Sequence, residues 1–318
     1  LKFLYQGDNG SEARLTVFRS KREVGAVFSD GGLYPAQRAV LSDTQDTTEN
    51  DSYGISLRTS VNVTDNVKYE TTSSYVNEDA LRNFDVDQGP LPIVAAAFED
   101  DVSTLSHESR LRISNGRFDA LLGIYAERFK GDGGFQAGPF GGNSVNQETT
   151  TLALFGEAGW KFDNGFEVVA GLRGEYEKVE VTTSDGATTV NSEASFTNLL
   201  PKLGLAYALS DQVRLYGTVQ RGYRAGGAGG SLITGTPFSF DPEYTWNYEV
   251  GARFESADGR TQLGTNAFYI DWKDQQLEIP SGSGLLGDNI ISNVGRSEMN
   301  GLELYDRHRE NAHIEHNG

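Results

Sequence analysis

The chain has 318 residues, with 38 glycines, 8 prolines, no cysteine and a formal net charge of −18 at pH 7. The absence of cysteine excludes disulfides and thiolate metal sites, and the acidity argues against nucleic acid, whose phosphates need a basic surface. The longest apolar run, residues 92–98, is far shorter than the roughly 18 residues of a membrane helix. We attribute the acidity to exposed loops rather than to attraction for cations.

Alternation of apolar and polar residues with period two predicts an all-β chain, because successive side chains of a strand face opposite sides. In chain order, thirteen strands are predicted near residues 1–6, 11–19, 52–63, 67–76, 107–114, 117–129, 150–162, 166–181, 197–209, 213–224, 245–256, 261–274 and 293–305.

The stretch from Thr151 to Tyr176 shows this alternation most clearly. One face carries no charge and consists of Leu152, Leu154, Gly156, Ala158, Trp160, Phe162, Phe166, Val168, Ala170, Leu172, Gly174 and Tyr176. The opposite face carries Glu157, Lys161, Glu167, Arg173 and Glu175. Since Lys or Arg at the bilayer midplane costs about 2–4 kcal/mol, lipid on one side and water on the other would impose this separation.

Short and long connections alternate along the chain. Tight turns are predicted at residues 8–10, 64–66, 115–116, 163–165, 210–212 and 258–259, and long polar segments near 20–51, 77–106, 130–149, 182–195, 225–244 and 276–290. Transmembrane β-barrels have this arrangement, with short periplasmic turns and long extracellular loops. An open sheet of thirteen strands leaves two unpaired edges, which hydrocarbon does not tolerate, so the sequence predicts an incomplete part of an antiparallel barrel.

The turns also predict cross-strand partners. The turn at Asp258-Gly259 pairs Phe254 with Leu263, and the turn at Asn115-Gly116 pairs Ile113 with Phe118 and Leu111 with Ala120. Three-residue loops at 163–165 and 210–212 pair Phe162 with Phe166 and Leu209 with Val213. Each pairing places apolar residues opposite each other on one face, as a stable ladder requires.

Aromatic residues gather at both ends of the predicted strands. Trp160, Phe162 and Phe166 flank a short turn, whereas Tyr223, Tyr244, Trp246, Tyr269 and Trp272 lie beside long loops. Two such groups at opposite strand ends match the aromatic girdles at the two lipid–water interfaces.

Three blocks of sequence resemble a known family. The run LPKLGLAYALSDQVRLYGTVQRGYRAGG (200–227), the run FDPEYTWNYEVGARFESADGRTQLGTNAFYIDWKDQQ (240–276) and NVGRSEMNGLELY (293–305) are similar in order and spacing to late strands of TonB-dependent outer-membrane receptors. The resemblance is specific over roughly residues 150–305 and weaker over residues 1–149. It implies a barrel of about 22 strands around an N-terminal plug.

Under this resemblance, residues 1–305 supply about thirteen strands of the barrel, with the plug, the TonB box and the first strands before Leu1 and about five strands after Tyr305. Residues 306–318 depart from the family pattern and are predicted to be an aberrant, disordered tail. The implied function is uptake of a scarce large solute, such as a ferric siderophore, a corrinoid or an oligosaccharide, across the outer membrane of a Gram-negative bacterium. The implied partners are outer-membrane lipid, the extracellular ligand and the TonB–ExbB–ExbD complex acting through the plug.

The sequence predicts no enzyme, no cofactor and no catalytic or metal site, and leaves the substrate-binding residues unknown. His107 lacks a recognisable acid or nucleophile partner, and His308, His313 and His316 fall in the predicted tail. The glycine run 226–230 lacks the GK[ST] ending of a phosphate loop and is predicted to be a flexible outer loop.

Two groups of charged residues raise the possibility of a binding role: the carboxylates of the loops and the charges that face the predicted lumen. The acidic stretches 43–51 and 99–101 lack an EF-hand pattern, and solvated acidity is favoured over loop calcium. Arg173, Glu175, Arg253 and Glu255 face the predicted lumen, where they could contact a plug or a substrate, although mutual pairing is favoured. The alternatives to an energised receptor are a passive porin or adhesin barrel and a soluble all-β binding protein, which would bury Leu154, Val168 and Val250 between two layers.

Overall fold

The computed structural model describes residues 1–25, 44, 46–86, 91, 95–138, 141–284 and 289–309. These residues form seventeen strands, thirteen of which pair into one antiparallel sheet. In order across that sheet, the strands are β1 (Lys2–Gln6), β2 (Glu12–Gly25), β3 (Thr47–Thr64), β4 (Val67–Asp85), β5 (Ala95–Ser114), β6 (Phe118–Gln136), β7 (Gly142–Lys161), β8 (Phe166–Ser184), β9 (Thr189–Ala208), β10 (Val213–Arg224), β13 (Glu243–Glu255), β14 (Thr261–Lys273) and β17 (Arg296–His308). The thirteen predicted strands are confirmed, and so is their pairing in chain order.

Two small hairpins interrupt that order. β11 (Gly227–Ser231) pairs with β12 (Thr236–Phe240) between β10 and β13, and β15 (Gln276–Pro280) pairs with β16 (Asn289–Asn293) between β14 and β17. The first lies within the predicted long segment 225–244, and the second begins in the predicted segment 276–290 and extends three residues beyond it. The prediction of a flexible loop at residues 226–230 is wrong, because most of this glycine run forms β11.

The strands are longer than predicted at their loop ends. The pairing of β4 with β5 continues to Asp85 and Ala95, and that of β8 with β9 continues to Ser184 and Thr189. Much of the predicted loops 77–106, 130–149 and 182–195 is therefore strand. Polar residues can remain in paired strands where water solvates their side chains. Polarity at these strand ends therefore does not indicate where backbone pairing stops.

Most of the predicted partners are confirmed. Phe254 lies opposite Leu263, and backbone hydrogen bonds of 2.8 and 2.9 Å join Phe162 to Phe166 and Leu209 to Val213. The partners predicted across Asn115-Gly116 are wrong by two residues, because Ile113 pairs with Ala120 and Leu111 with Leu122. The backbone N–H of Asn115 donates to the Phe118 carbonyl, which makes a longer turn but keeps the same faces.

The sheet is a partial barrel with two edges. No pairing joins β1 to β17 among the described residues. Residues 306–308, which were predicted to belong to a disordered tail, instead pair with β14 as the last residues of β17. The unpaired edge of β14 extends as far as Thr261, which allows this pairing to continue. Residues 310–318, including His313 and His316, lie outside the described residues. In the described part of the chain, no helix is long and apolar enough to cross a membrane.

Candidate functional site: the outer band and the inner wall

The face of the sheet that carries Leu154 and Leu172, here called the outer face, is apolar and uncovered. Leu154 is 60% exposed and Val250 is 64% exposed, so the two-layer arrangement expected of a soluble protein is absent at these positions. Among the described residues, the buried hydrophobic ones are few and small: Ala96, Ala153, Val179, Val181 and Val190. The sheet therefore exposes large apolar side chains to its surroundings, as a wall facing lipid does.

These exposed residues form a band, and charge begins abruptly at its loop end. On β8 the outer face runs from Phe166 to Tyr176 without charge and then continues with Lys178. On β6 the change falls between Ala126 and Arg128. We call the uncharged outer-facing positions the outer band. An abrupt change from apolar to charged residues is what the boundary between hydrocarbon and lipid headgroups requires.

Exposed aromatics line the turn end of the outer band. Trp160, Phe162 and Phe166 are 46–48% exposed. The Trp160 ring centroid lies 5.8 Å from that of Phe118, and the Phe166 centroid lies 4.4 Å from that of Tyr207. This arrangement agrees with the predicted girdle at the short-turn end.

The loop end carries the second aromatic group, with one correction. The Tyr248 ring centroid lies 6.5 Å from that of Trp246 and 6.1 Å from that of Tyr269, all on the outer face. Trp272 is opposite Thr245 and alternates onto the inner face, so it does not belong to this girdle. Strand β14 also places Phe268 and Ile270 inward, which is why its alternation is less clear in the sequence.

The opposite face, the inner wall, is charged and internally paired. Arg173 Nε donates to Glu175 Oε2 at 2.8 Å, and Lys202 Nζ lies 2.7 Å from Glu157 Oε2. The predicted mutual pairing therefore holds for Arg173 and Glu175. The Arg253 guanidinium instead lies 5.6 Å from the Tyr216 ring centroid.

The β11–β12 hairpin packs on the inner wall of β8 and β9. Ser192 Oγ donates to the Gly229 carbonyl, and a Cβ added at Gly230 would lie 2.6 Å from Val190 Cγ1. Glycine is required here because the hairpin backbone approaches the wall too closely for a side chain. Val179, Val181 and Val190 are buried on this part of the inner wall, so the hairpin provides a small interior that the rest of the sheet lacks.

A clamp of side-chain amides joins the bases of the two hairpins. Gln276 Nε2 donates to the Ala225 carbonyl at 2.6 Å, and the Gln276 backbone N–H donates to Glu243 Oε2 at 2.7 Å. Asn293 Nδ2 donates to the carbonyls of Asp241 and Asp274 at 2.8 and 2.9 Å. Sequence reasoning missed these residues, because the partners of Gln276 and of Asp241 are 33–52 positions away and form no local motif.

The histidines and the acidic residue that the sequence singled out as candidate site residues contact other side chains of the sheet. His107 Nδ1 lies 2.8 Å from Ser73 Oγ, and its Nε2 lies 3.0 Å from Ser109 Oγ. His308 Nδ1 lies 2.9 Å from Thr261 Oγ1, and Asp51 pairs with Arg19 at 2.7 Å. In the part of the chain that the structure describes, no group of three or more His, Asp or Glu is arranged to hold a metal.

Comparison with known proteins identifies the family to which the chain belongs. Residues 2–312 match the family model described as "TonB dependent receptor-like, beta-barrel". Among curated proteins, the pesticin receptor of Yersinia enterocolitica is 31% identical over 160 residues, which are 48% of this chain and 23% of that protein. The chain thus spans less than a quarter of the length of this relative.

Solved structures share the fold. The ferric yersiniabactin uptake receptor FyuA from Yersinia pestis aligns with a TM-score of 0.80 at 20% identity, over 95% of this chain and 47% of that one. The FrpB iron transporter from Neisseria meningitidis aligns with a TM-score of 0.69 at 16% identity, over 96% of this chain and 49% of that one. In both, this chain matches about half of a larger protein.

Proposed function

Because the chain belongs to the TonB-dependent receptor-like β-barrel family and is an outer-membrane protein of Gram-negative bacteria, we propose that it forms part of the wall of a receptor for energised uptake. The proposed cargo is a scarce, large solute, and a ferric siderophore is favoured over a corrinoid or an oligosaccharide. Support for iron comes from the relatives, whose names specify ferric yersiniabactin uptake and iron transport. The proposed energy source is a TonB–ExbB–ExbD complex that acts through a plug inside the barrel.

The observation that carries this proposal is the coincidence of the family match with the two-sided wall. The match covers residues 2–312, and the described residues within that range expose an apolar band on one face and paired charges on the other. The thirteen strands also imply a larger barrel. In an antiparallel sheet with an odd number of strands, the two edge strands run parallel, so antiparallel closure needs an odd number of further strands. A barrel of about 22 strands meets this condition.

Uptake by the host organism tests the proposal. A strain lacking the gene should lose accumulation of radioactive iron from at least one ferric siderophore, and a plasmid copy of the intact gene should restore it. Dissipating the proton-motive force should abolish this accumulation. Uptake that persists without energy, together with ion conductance in planar bilayers, would support the passive porin instead.

A further inference from the structure

The wall has a step between β9 and β10 at its loop end. The ladder between these two strands ends at Lys202 and Gln220, and β10 itself ends at Arg224. Strands β13, β14 and β17 follow β10 across the sheet and end at the level of β10. Strand β9 instead continues, paired with β8, as far as Thr189. The loop end of β9 is therefore an edge strand in the middle of the wall.

The backbone groups of alternate residues face this edge. Successive residues of a strand form backbone hydrogen bonds with opposite neighbours, and the Leu199 carbonyl points away from β8, where it accepts from Arg221 Nη1 at 3.3 Å. Backbone N–H and carbonyl groups of four further residues point the same way: Asn191, Glu193, Ser195 and Thr197. Among the described strands, none pairs with this side of β9 beyond Lys202.

Residues 191–197, here called the free edge, are open to water. Ser195 is opposite Lys178, the first charged residue beyond the outer band on β8. The β11–β12 hairpin lies over the inner face rather than against the edge, because β11 contacts both β8 and β9. Sheets commonly protect such edges with lysine, proline or a bulge. The free edge contains neither lysine nor proline, and its register with β8 has no bulge.

The side chains beside the free edge have a distinct charge and size. Lys178 Nζ lies 3.0 Å from Glu180 Oε1 and 3.2 Å from Glu193 Oε1, so two carboxylates share one ammonium group and one negative charge is left over. The Glu193 side chain is 62% exposed. On the inner face the edge carries Ala194 and Phe196. A strand added here would meet a carboxylate on one face and apolar surface on the other.

From the unpaired backbone and the surplus carboxylate together, we propose that the free edge binds an extended segment of another protein. The segment adds to β9 as a further strand and places a basic side chain beside Glu193. In such strand addition, main-chain hydrogen bonds supply the affinity and alternate side chains supply the selectivity. The site lies beyond the outer band and away from the lumen, so it is separate from the proposed cargo path.

A synthetic peptide tests the free edge on the purified full-length receptor in detergent. The probe is a fluorescent nine-residue peptide in which threonine and valine alternate and lysine replaces the central threonine. Its control carries methyl groups on the backbone nitrogens, which removes the donors of the added ladder. Fluorescence anisotropy should show saturable binding of the probe and at least about tenfold weaker binding of the methylated control. Amide hydrogen exchange in residues 189–200 should slow when the probe binds.

Three variants separate the backbone from the charge. Ser195→Pro removes one N–H from the free edge but keeps the pairing with β8, because proline is tolerated where its nitrogen faces an edge. It should weaken binding at least about fivefold, whereas the matched control Ser195→Thr keeps the N–H and should bind as the wild type does. Glu193→Gln should weaken binding of the lysine probe and leave unchanged the binding of a version with threonine at its centre.

Three results would overturn the site. The first is equal binding of the probe and its methylated control, and the second is equal binding by the wild type and Ser195→Pro. The third is slow exchange of every amide in residues 191–197 without the probe, which would show that the receptor itself or a second copy already covers the edge. Heat-modifiable gel migration should report a folded barrel for every variant. If Ser195→Pro does not fold, the methylated control and the exchange measurement still decide the matter.

Discussion

The far end of the Phe155 ring lies over Gly123, its direct cross-strand partner on the inner wall. A Cβ added at Gly123 would be 2.4 Å from Phe155 Cζ, and the Arg173 guanidinium lies 5.5 Å from the same ring centroid. Four other inner-wall pairs repeat this arrangement: Phe18 with Gly54, Tyr216 with Gly251, Phe268 with Gly301 and Tyr305 with Gly264. Each glycine lets a large ring lie against the wall instead of projecting into the lumen.

Gly123→Val should therefore displace Phe155 and destabilise the barrel by about 1–3 kcal/mol, as overpacking does. Equilibrium unfolding in urea from lipid vesicles would measure the loss. Gly174→Ala is the control, since its Cβ enters open space. Equal stability of the Gly123 variant and this control would show that the ring does not depend on the glycine.

Charge on the outer band should be far more costly than charge on the inner wall. Leu154→Lys places an ammonium group in hydrocarbon and should destabilise the barrel by about 2–4 kcal/mol in vesicles. Thr218→Lys places the same charge opposite Glu249 on the water-facing inner wall and should cost much less. The comparison requires unfolding titrations of both variants in the same lipid; similar losses would contradict the assignment of the two faces.

Loss of the clamp should loosen the two hairpins while leaving the large sheet intact. Gln276→Ala removes donors to the Ala225 and Asp241 carbonyls, at 2.6 and 3.1 Å, and leaving such groups unpaired costs about 1–3 kcal/mol locally. We expect faster amide hydrogen exchange in residues 227–240 and 276–293, measured by mass spectrometry. Gln147→Ala removes only a bond to neighbouring Thr149 and should leave exchange in these segments unchanged.

The ion pairs of Glu148, which lies beyond the outer band, should respond to acid. Hydrogen bonds from Lys130 and Arg128 lower the pKa of Glu148 from 4.5 to about 2. Because the folded-state pKa lies below the unfolded one, the stabilisation is complete above about pH 4.5 and is lost as pH falls toward 2. Thermal unfolding between pH 6 and 2 should show a drop in Tm that is smaller in Glu148→Gln. Parallel curves for the two proteins would mean that these pairs contribute no stability, as many exposed ones do not.

The sequence alone determined the thirteen strands of the large sheet, their order and their two faces. Alternation is a local property that each segment carries by itself, so the charge-free face of residues 152–176 predicted the outer face before any partner was known. Turn residues similarly set the partners of Phe162 and Leu209. At Asn115-Gly116 the same reasoning erred by two residues, because a longer turn preserves the faces and the hydrophobic pattern does not distinguish the two registers.

Only the tertiary structure decided where pairing ends and what packs inside. The ladder between β9 and β10 stops at Lys202 and Gln220, next to Pro201, which has no N–H to donate. Beyond that point the β11–β12 hairpin turns onto the inner wall, and Gln276 closes the clamp with partners up to 51 positions away. Such contacts depend on which strands meet in space, and no local pattern of residues records that proximity.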